Sequence, residues 1–439
     1  MKSLVKAVFP TAILDQARNH RRFTEWRKLA RKADRHPAPG KGRRGRILIL
    51  PSDLESITGA LGDDAMISAT VAMCRKADPD VSVDMFCRES AASIVRDLGY
   101  TPIRVPPVPT MCRDLAALFK GAPYDGFFIL GADIMDGYYY WEGVSTLIVA
   151  ADLAARNGVP TTILGCSFND RPAPELVPYY TQMSREVSLN MRDVISLERI
   201  EAFAPVKTRL VADCAFTLPR GTAPVEAVAW IEAQRAAGRT VIGVNAHPML
   251  IKNATEAEVE RITASVTAAL VQNSGGREVA WLMLPHDYRG RDGDAVCLRP
   301  IYERLSEAGG IETHFLEGTH RAADLKALCG HLDGVVTGRM HLAIASLGMG
   351  VPVLSLTYQE KFEGLYRHFN LPESLLLPPA VFGEGSALSE GLDAFVAALP
   401  ALSEIVRGHG PAVQALAWSN YDTYFHAAEI WAPALSDAP

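Results

Sequence analysis

Four side chains in one short stretch carry the clearest chemistry of this chain: Arg339, His341, Tyr358 and Lys361. A guanidinium and an ammonium supply fixed positive charge, and an imidazole exchanges a proton near neutral pH. Together they suit an anion pocket with one titratable proton carrier. The competing reading is that Arg339 and His341 only cap and pack a helix end. Two further candidates lie upstream. His286 followed by Asp287 could meet an acceptor or a phosphate, although such a pair is often structural. Asp133 and Asp136 could hold sugar hydroxyls, act as a base, or cap the helix that comes after them. Next to them stands the run Tyr138-Tyr139-Tyr140-Trp141, whose rings suit stacking on sugars, core packing or an interface.

These groups need a framework, and the stretch from Asp333 to Lys361 supplies one. Gly334 to Thr337 is a short apolar, β-branched run that predicts a buried strand, broken at Gly338. Arg339, Met340 and His341 fall on the turn, and a small-residue helix over Leu342 to Leu347 ends at Gly348 and Gly350. A second strand, Val351 to Leu356, leads to Thr357, Tyr358 and Gln359, with a new helix near Glu360. Strand, helix, strand in this space is a βαβ crossover with parallel strands. Arg339 and His341 then follow the first strand, and Tyr358 and Lys361 follow the second. The carboxyl ends of parallel strands are where open α/β sheets bind ligands, and helix N-termini there favour anions.

The rest of the chain repeats this alternation. Strands are expected at Arg46–Pro51, Val81–Phe86, Phe127–Leu130 and Thr161–Gly165, then at Val241–Ala246, Val279–Pro285 and Thr313–Leu316. After the first strand, Gly59-Ala60-Leu61-Gly62-Asp63-Asp64 opens a helix, the usual phosphate- or substrate-facing position of such a unit. A chain of 439 residues predicts two domains. The boundaries are a basic extension over 1–45, an N-terminal Rossmann-like domain over 46–220, a C-terminal one over 221–385 and helices over 386–439. The last of these, from about Ala412 to Ile430, is placed as a helix that could cross back to the first domain. The fold class is α/β, with parallel sheets. No G-x-G-x-x-G or P-loop pattern is present, so NAD and P-loop chemistry are poorly supported.

Composition narrows the setting. Hydrophobic residues make up 48% and charged residues 21%, values of a globular domain, and a net charge of −6 argues against a general nucleic-acid binder. The seven cysteines are scattered without C-x-x-C spacing, which predicts buried free thiols in a reducing cytoplasm and neither disulfides nor a metal site. No run reaches the length of a membrane span. Charge is uneven: between Lys2 and Arg46 basic residues exceed acidic ones by 11, leaving −17 elsewhere. Ile13 to Ala33 could form a helix with Phe23 and Trp26 among arginines. Such an arm could lie on the inner face of an anionic membrane or serve as a solvated, domain-clasping extension. The sequence leaves oligomeric state, including a homo-oligomer, open.

Gly338-Arg339-Met340-His341, the small-residue helix, Gly350-Val351-Pro352-Val353 and Lys361 together resemble the C-terminal signature of the polysaccharide pyruvyl transferase family. Gly59, Gly62 and Asp63 match that family's G-N-x-G-D segment, with Ala60 in place of the asparagine. Arg192-Asp193 and Ser196 resemble its R-D-x-x-S segment, which makes Arg192 a second anion ligand, opposed by the reading of an Arg192–Asp193 surface pair. Gly131 to Gly137 departs from a run of glycines, and Asp213 falls where the family often has an aspartate. The resemblance implies two Rossmann-like domains with parallel sheets facing across a cleft, a GT-B-like arrangement. It also implies transfer of a pyruvyl group from phosphoenolpyruvate to a sugar or lipid-linked oligosaccharide, in the assembly of a cell-surface polysaccharide. It implies no cofactor beyond phosphoenolpyruvate as donor, and no metal. His341 would be the proton donor, with Arg339 and Arg192 holding the anionic groups and Lys361 supporting them. Gly338, Tyr358, Gly62, Asp63, Asp133 and His286 would line the substrate, and Asp63 or Asp133 would be the base. The alternative is a GT-B glycosyltransferase using a nucleotide sugar, since the same cations could hold a diphosphate.

Overall fold

The computed structural model describes residues 11–35, 45–121, 123–275, 278–290, 293–357, 361–383 and 385–427. They divide into two compact units. The first takes in described residues of Met1–Glu55, Cys74–Leu210 and Asn420–Pro433; the second takes in Ser56–Met73 and Val211–Ser419. Ser56–Met73 thus packs in the second unit, although its place in the chain puts it among first-domain residues.

The first unit is built on seven parallel strands: β1 (Arg46–Leu50), β2 (Ser82–Cys87), β3 (Thr101–Arg104), β4 (Gly126–Ile129), β5 (Thr161–Cys166), β6 (Val187–Met191) and β7 (Thr208–Leu210). Their order is 3-2-1-4-5-6-7, with the direction of winding reversing between β1 and β4. The inner strands read as nearly unbroken apolar runs, such as Gly126-Phe127-Phe128-Ile129 with every residue buried, because helices cover both faces. Pro102 sits in β3, at the sheet edge, where its missing N–H costs no ladder bond.

Four helices frame the candidate residues of the N-terminal half: α1 (Thr11–Arg35), α2 (Leu61–Ala77), α3 (Trp141–Arg156) and α4 (Val194–Phe203). The aromatic residues of α1 are used in packing. Trp26 is buried, stacks on Tyr179 at 5.5 Å with planes 5° apart, and donates to the buried Asp152 at 2.7 Å. Phe23 meets the same Tyr179 ring edge-on at 5.1 Å. Through these two rings the arm clasps the first unit. Arg21, Lys28, Arg31 and Lys32 stay exposed. The proline-containing linker at Pro37–Gly40 lies outside the described residues.

The second unit repeats the plan with six parallel strands: β8 (Thr240–Asn245), β9 (Val279–Met283), β10 (Glu312–Phe315), β11 (Gly334–Thr337), β12 (Val353–Leu356) and β13 (Leu376–Leu377). Their order, 10-9-8-11-12-13, reverses between β8 and β11. The relevant helices are α5 (Glu256–Ser274), α6 (Ala295–Ala308), α7 (Ala322–Cys329), α8 (Met340–Gly348), α9 (Phe362–Phe369) and α10 (Ala387–Trp418). Where a helix starting near Ala412 is expected, α10 runs as one helix of 32 residues through Pro400 and Pro411. A short helix, α11 (Asp422–Ala427), then packs in the first unit, with Tyr424 against Phe128. All seven cysteines are buried. Among the described residues no helix is long and apolar enough to cross a membrane.

Candidate functional site

The second sheet changes winding direction between β8 and β11, and the polar residues gather at the carboxyl ends there. β11 ends at Thr337, whose hydroxyl accepts from the Arg339 N–H at 2.9 Å and lies 3.2 Å from the Asn245 side-chain oxygen. That turn places Arg339 as the residue preceding α8 and His341 in its first turn. Gly338 is required by close approach: a Cβ there would stand 2.5 Å from Leu250 and 2.7 Å from His247 Nε2.

Arg339 is not the uncompensated cation that the sequence suggests. Its Nε and Nη2 donate to Asp294 Oδ1 at 2.9 and 2.6 Å, and its Nη1 lies 3.3 Å from Asp287 Oδ2. Asp287 is held in turn by Arg289, at 3.0 and 2.8 Å. Two guanidinium groups are thus balanced by two buried carboxylates. Asp294 is the centre of this network, fully buried, with Oδ2 accepting from Asn245 Nδ2 at 2.6 Å and from the His286 and Asp287 N–H groups at 2.8 and 3.1 Å. It ties the ends of β8, β9 and β11 together. Burial pushes its carboxyl upward, while Arg339 and the three other donors pull the other way and favour the carboxylate.

His286 and His247 are both buried, and burial together with neighbouring positive charge pushes both well below the usual imidazole range. Both rings are neutral at neutral pH. For His247 the neighbours are Arg339, Lys361 and His286, and Lys361 itself directly precedes α9. His341 is 16% exposed and its Nε2 lies 3.8 Å from Asp213 Oδ2. Its other face meets the first turn of α2, where a Cβ on Gly62 would stand 2.5 Å from Nδ1. Gly62 therefore has a role that its motif does not reveal: it makes room for the imidazole. Asp63 is half-buried beside it, whereas the next residue, Asp64, is buried, paired with Arg321 and bonded to the Ala322 N–H at 2.8 Å.

His286 and His341 line a narrow hollow with Lys326, Ala65, Ala215 and Ile344, leaving about 10 Å³ for the centre of a water molecule, roughly room for one. Lys326 is buried, and its ammonium donates to the carbonyls of Phe216 and Leu218 at 2.9 and 2.6 Å. Burial pushes it down to about 8. Asp294, His247 and Lys326 are the residues that sequence reasoning missed as parts of the site. His247 had a signal, as a polar residue just after a buried strand; the other two had none.

The remaining candidates lie elsewhere. Tyr358 falls outside the described residues. Arg192 and Asp133 belong to the first unit. Arg192 is buried at the end of β6, its Nε donating to Ser167 Oγ at 2.7 Å. Asp193 is not its surface partner but caps α4, accepting from the Ser196 N–H at 2.7 Å. Asp136 does not cap α3; it is buried and accepts from the Tyr138 N–H at 2.7 Å and from Asn169 at 3.0 and 2.8 Å. Asp133 lies half-buried on the same loop. Among the described residues, no group of three or more His, Cys, Asp or Glu is arranged to hold a metal ion.

Residues 60–360, more than half of the chain, match the family model for polysaccharide pyruvyl transferase. The chain belongs to this family. The match takes in Gly62, Arg192, His286, Arg339 and His341, and it makes the protein an enzyme of the transferase class that modifies polysaccharide. No curated protein sequence matches the chain. Among solved structures, it is similar to Anabaena HepE in complex with UDP-glucose, at 11% identity and TM-score 0.50, over 88% of this chain and 98% of that one. It is also similar to the Neisseria meningitidis UDP-GlcNAc 2-epimerase bound to UDP-GlcNAc, at 10% identity and TM-score 0.53, over 87% and 100%. The glycosyltransferase VinC in complex with dTDP is a third, at 12% identity and TM-score 0.52, over 88% and 99%. At such identities the likeness shows the fold, a pair of Rossmann-like units of GT-B type.

Proposed function

We infer that this pyruvyl transferase family member moves a pyruvyl group from phosphoenolpyruvate to two hydroxyls of a sugar in a cell-surface polysaccharide or its precursor, forming a cyclic ketal. The observation that carries this reading is the imidazole of His341, set in the first turn of α8 at the switch point of the second sheet. Ketal formation starts with a proton delivered to the terminal carbon of the enol, which makes the neighbouring carbon electrophilic. His341 supplies that proton. The first sugar hydroxyl adds to the electrophilic carbon and gives up its proton, which restores the imidazolium through Asp63 or water. Phosphate then leaves by C–O cleavage, and the second hydroxyl closes the ring, its proton departing with the phosphate. One enol phosphate and two hydroxyls thus yield one ketal and one inorganic phosphate.

The other residues serve this sequence by position. The N-terminal N–H groups of α8 and the ammonium of Lys361 meet the anionic groups. Arg339, locked by Asp294 and Asp287, sets the turn from which His341 projects, and neutral His286 offers a hydrogen bond without competing as an acid. Arg192 is the corresponding cation in the first unit. The exposed basic face of α1 (Arg21, Lys28, Arg31 and Lys32) is assigned to a salt-sensitive contact with anionic lipid. Co-sedimentation with phosphatidylglycerol vesicles, lost on charge reversal, tests that contact.

A thermal-shift comparison tests the donor. Phosphoenolpyruvate should raise the unfolding temperature at concentrations where UDP- and GDP-sugars do not. The reverse pattern would support the nucleotide-sugar glycosyltransferase and sink the pyruvyl reading.

A further inference from the structure

Tyr138, Tyr139 and Tyr140 have an unusual setting. They lie on the loop between β4 and α3, at the carboxyl edge of the first sheet and beside its switch point. They are 43%, 54% and 65% exposed, while Phe127, Phe128 and Tyr180 of the same unit are buried. Contiguous exposed aromatic surface marks a place where something binds.

The loop that carries them is built to hold them still. Buried Asp136 accepts from the Tyr138 N–H and braces the loop against Asn169. Gly137 has φ +75°, and a Cβ there would stand 2.8 Å from Leu176 and 2.9 Å from Trp141, so no other residue fits. The ring of Tyr140 lies over Gly143 in the first turn of α3, where a Cβ would come within 2.8 Å of it. Tyr138 and Tyr139 meet edge to face, with centroids 5.3 Å apart and planes at 86°. Rings fixed in this way lose little freedom when a ligand covers them.

We propose that Tyr138, Tyr139 and Tyr140 form a stacking platform for a pyranose ring, with Asp133 on the same loop accepting its hydroxyls. The chemistry favours a sugar over a phosphate-bearing ligand. Asp133, Asp136 and Glu142 put three carboxyl groups on this one segment. A ring with C–H faces and hydroxyl donors matches exposed aromatic faces beside a half-buried carboxylate, whereas a phosphate would be repelled. Naming this sugar as the pyruvyl acceptor rests on the proposed function; the platform itself does not.

The test is saturation-transfer NMR on the full chain with the methyl glycosides of glucose, galactose, mannose and N-acetylglucosamine. Ring protons of at least one glycoside should receive saturation from the wild type. The signal should fall at least fivefold in Tyr139→Ala/Tyr140→Ala and persist in Tyr139→Phe/Tyr140→Phe, with unfolding temperatures unchanged. Equal signals in the alanine variant, or none in the wild type, would overturn the platform. So would a wild-type dimer that the alanine pair converts to monomer, because the patch would then be a self-association surface. Phosphoenolpyruvate is added in parallel. If it fails to shift the wild-type unfolding temperature while the glycoside signal stands, the pyruvyl reading falls and the platform survives.

Discussion

Gly62→Ala has the outcome most tightly set by geometry. Position 62 lies in the first turn of α2, and no left-handed backbone there calls for glycine. By helix propensity alone, alanine should stabilise by up to about 1 kcal/mol. The new Cβ, however, would stand 2.5 Å from His341 Nδ1 and 3.0 Å from Cε1, against 3.4 Å for ordinary contact. The imidazole must therefore yield by about 0.9 Å, the shortfall from van der Waals separation. With 16% of its side chain exposed, the ring can swing aside and leave the backbone in place. A displacement of roughly 1 Å at a reacting group costs on the order of 100-fold in rate. Gly62→Ala should thus lower kcat about 100-fold, with a smaller change in KM for phosphoenolpyruvate. Its unfolding temperature should be unchanged or raised by a few degrees. Turnover within about twofold of wild type would refute the reasoning, as the cited penalty for misplacement would be missing. A large fall in unfolding temperature would also refute it, since the helix and not the ring would then have given way.

Asp294→Ala takes two hydrogen bonds from the Arg339 guanidinium and strips three further donors of their acceptor. A loss of about 3 kcal/mol in denaturant unfolding is expected, at the low end for a broken buried ion pair. A loss under about 0.5 kcal/mol would show that Asp294 does not hold the network together. Lys326 is pushed down to about 8 from 10.5, so between those values the unfolded chain holds more protons and stability rises with pH. Wild-type stability minus that of Lys326→Met should accordingly rise from pH 8 to pH 10, and a flat difference contradicts the burial. His286 is pushed well below 6.5, so its contribution is present above that value and is lost as the pH falls below it. His286→Gln should flatten this part of the acid limb, and an unchanged limb would place the proton uptake elsewhere.

The framework of the site was legible because its signals are local. Gly334 to Thr337 is a strand in the structure, as its β-branched run and flanking glycine predict, and β8, β9 and β12 match their apolar runs within a residue or two. Three of the four edge strands were lost for a physical reason. β13 has two residues and β7 three, too short to show a period, and Pro102 disguises β3. Gly62 stood out as part of a motif, yet its purpose depends on a contact with a residue far along the chain, which no local pattern encodes. Asp294 was hidden more thoroughly. In Arg289-Gly290-Arg291-Asp292-Gly293-Asp294 it reads as one more carboxylate in a polar loop. Only the fold brings the turn after β11 against it and makes Arg339 a balanced charge. The aromatic residues of α1 show the same limit: Trp26 was visible as an aromatic among arginines, but its partners Tyr179 and Asp152 lie far along the chain.

The central claim is that His341 delivers the proton that starts transfer from a bound enol phosphate. Its most direct test is His341→Ala, with phosphate release from phosphoenolpyruvate measured against a sugar acceptor and donor affinity followed by calorimetry. Turnover should be lower by about 10² to 10⁴-fold, with phosphoenolpyruvate affinity within several-fold of wild type. Near-wild-type turnover by His341→Ala would contradict it.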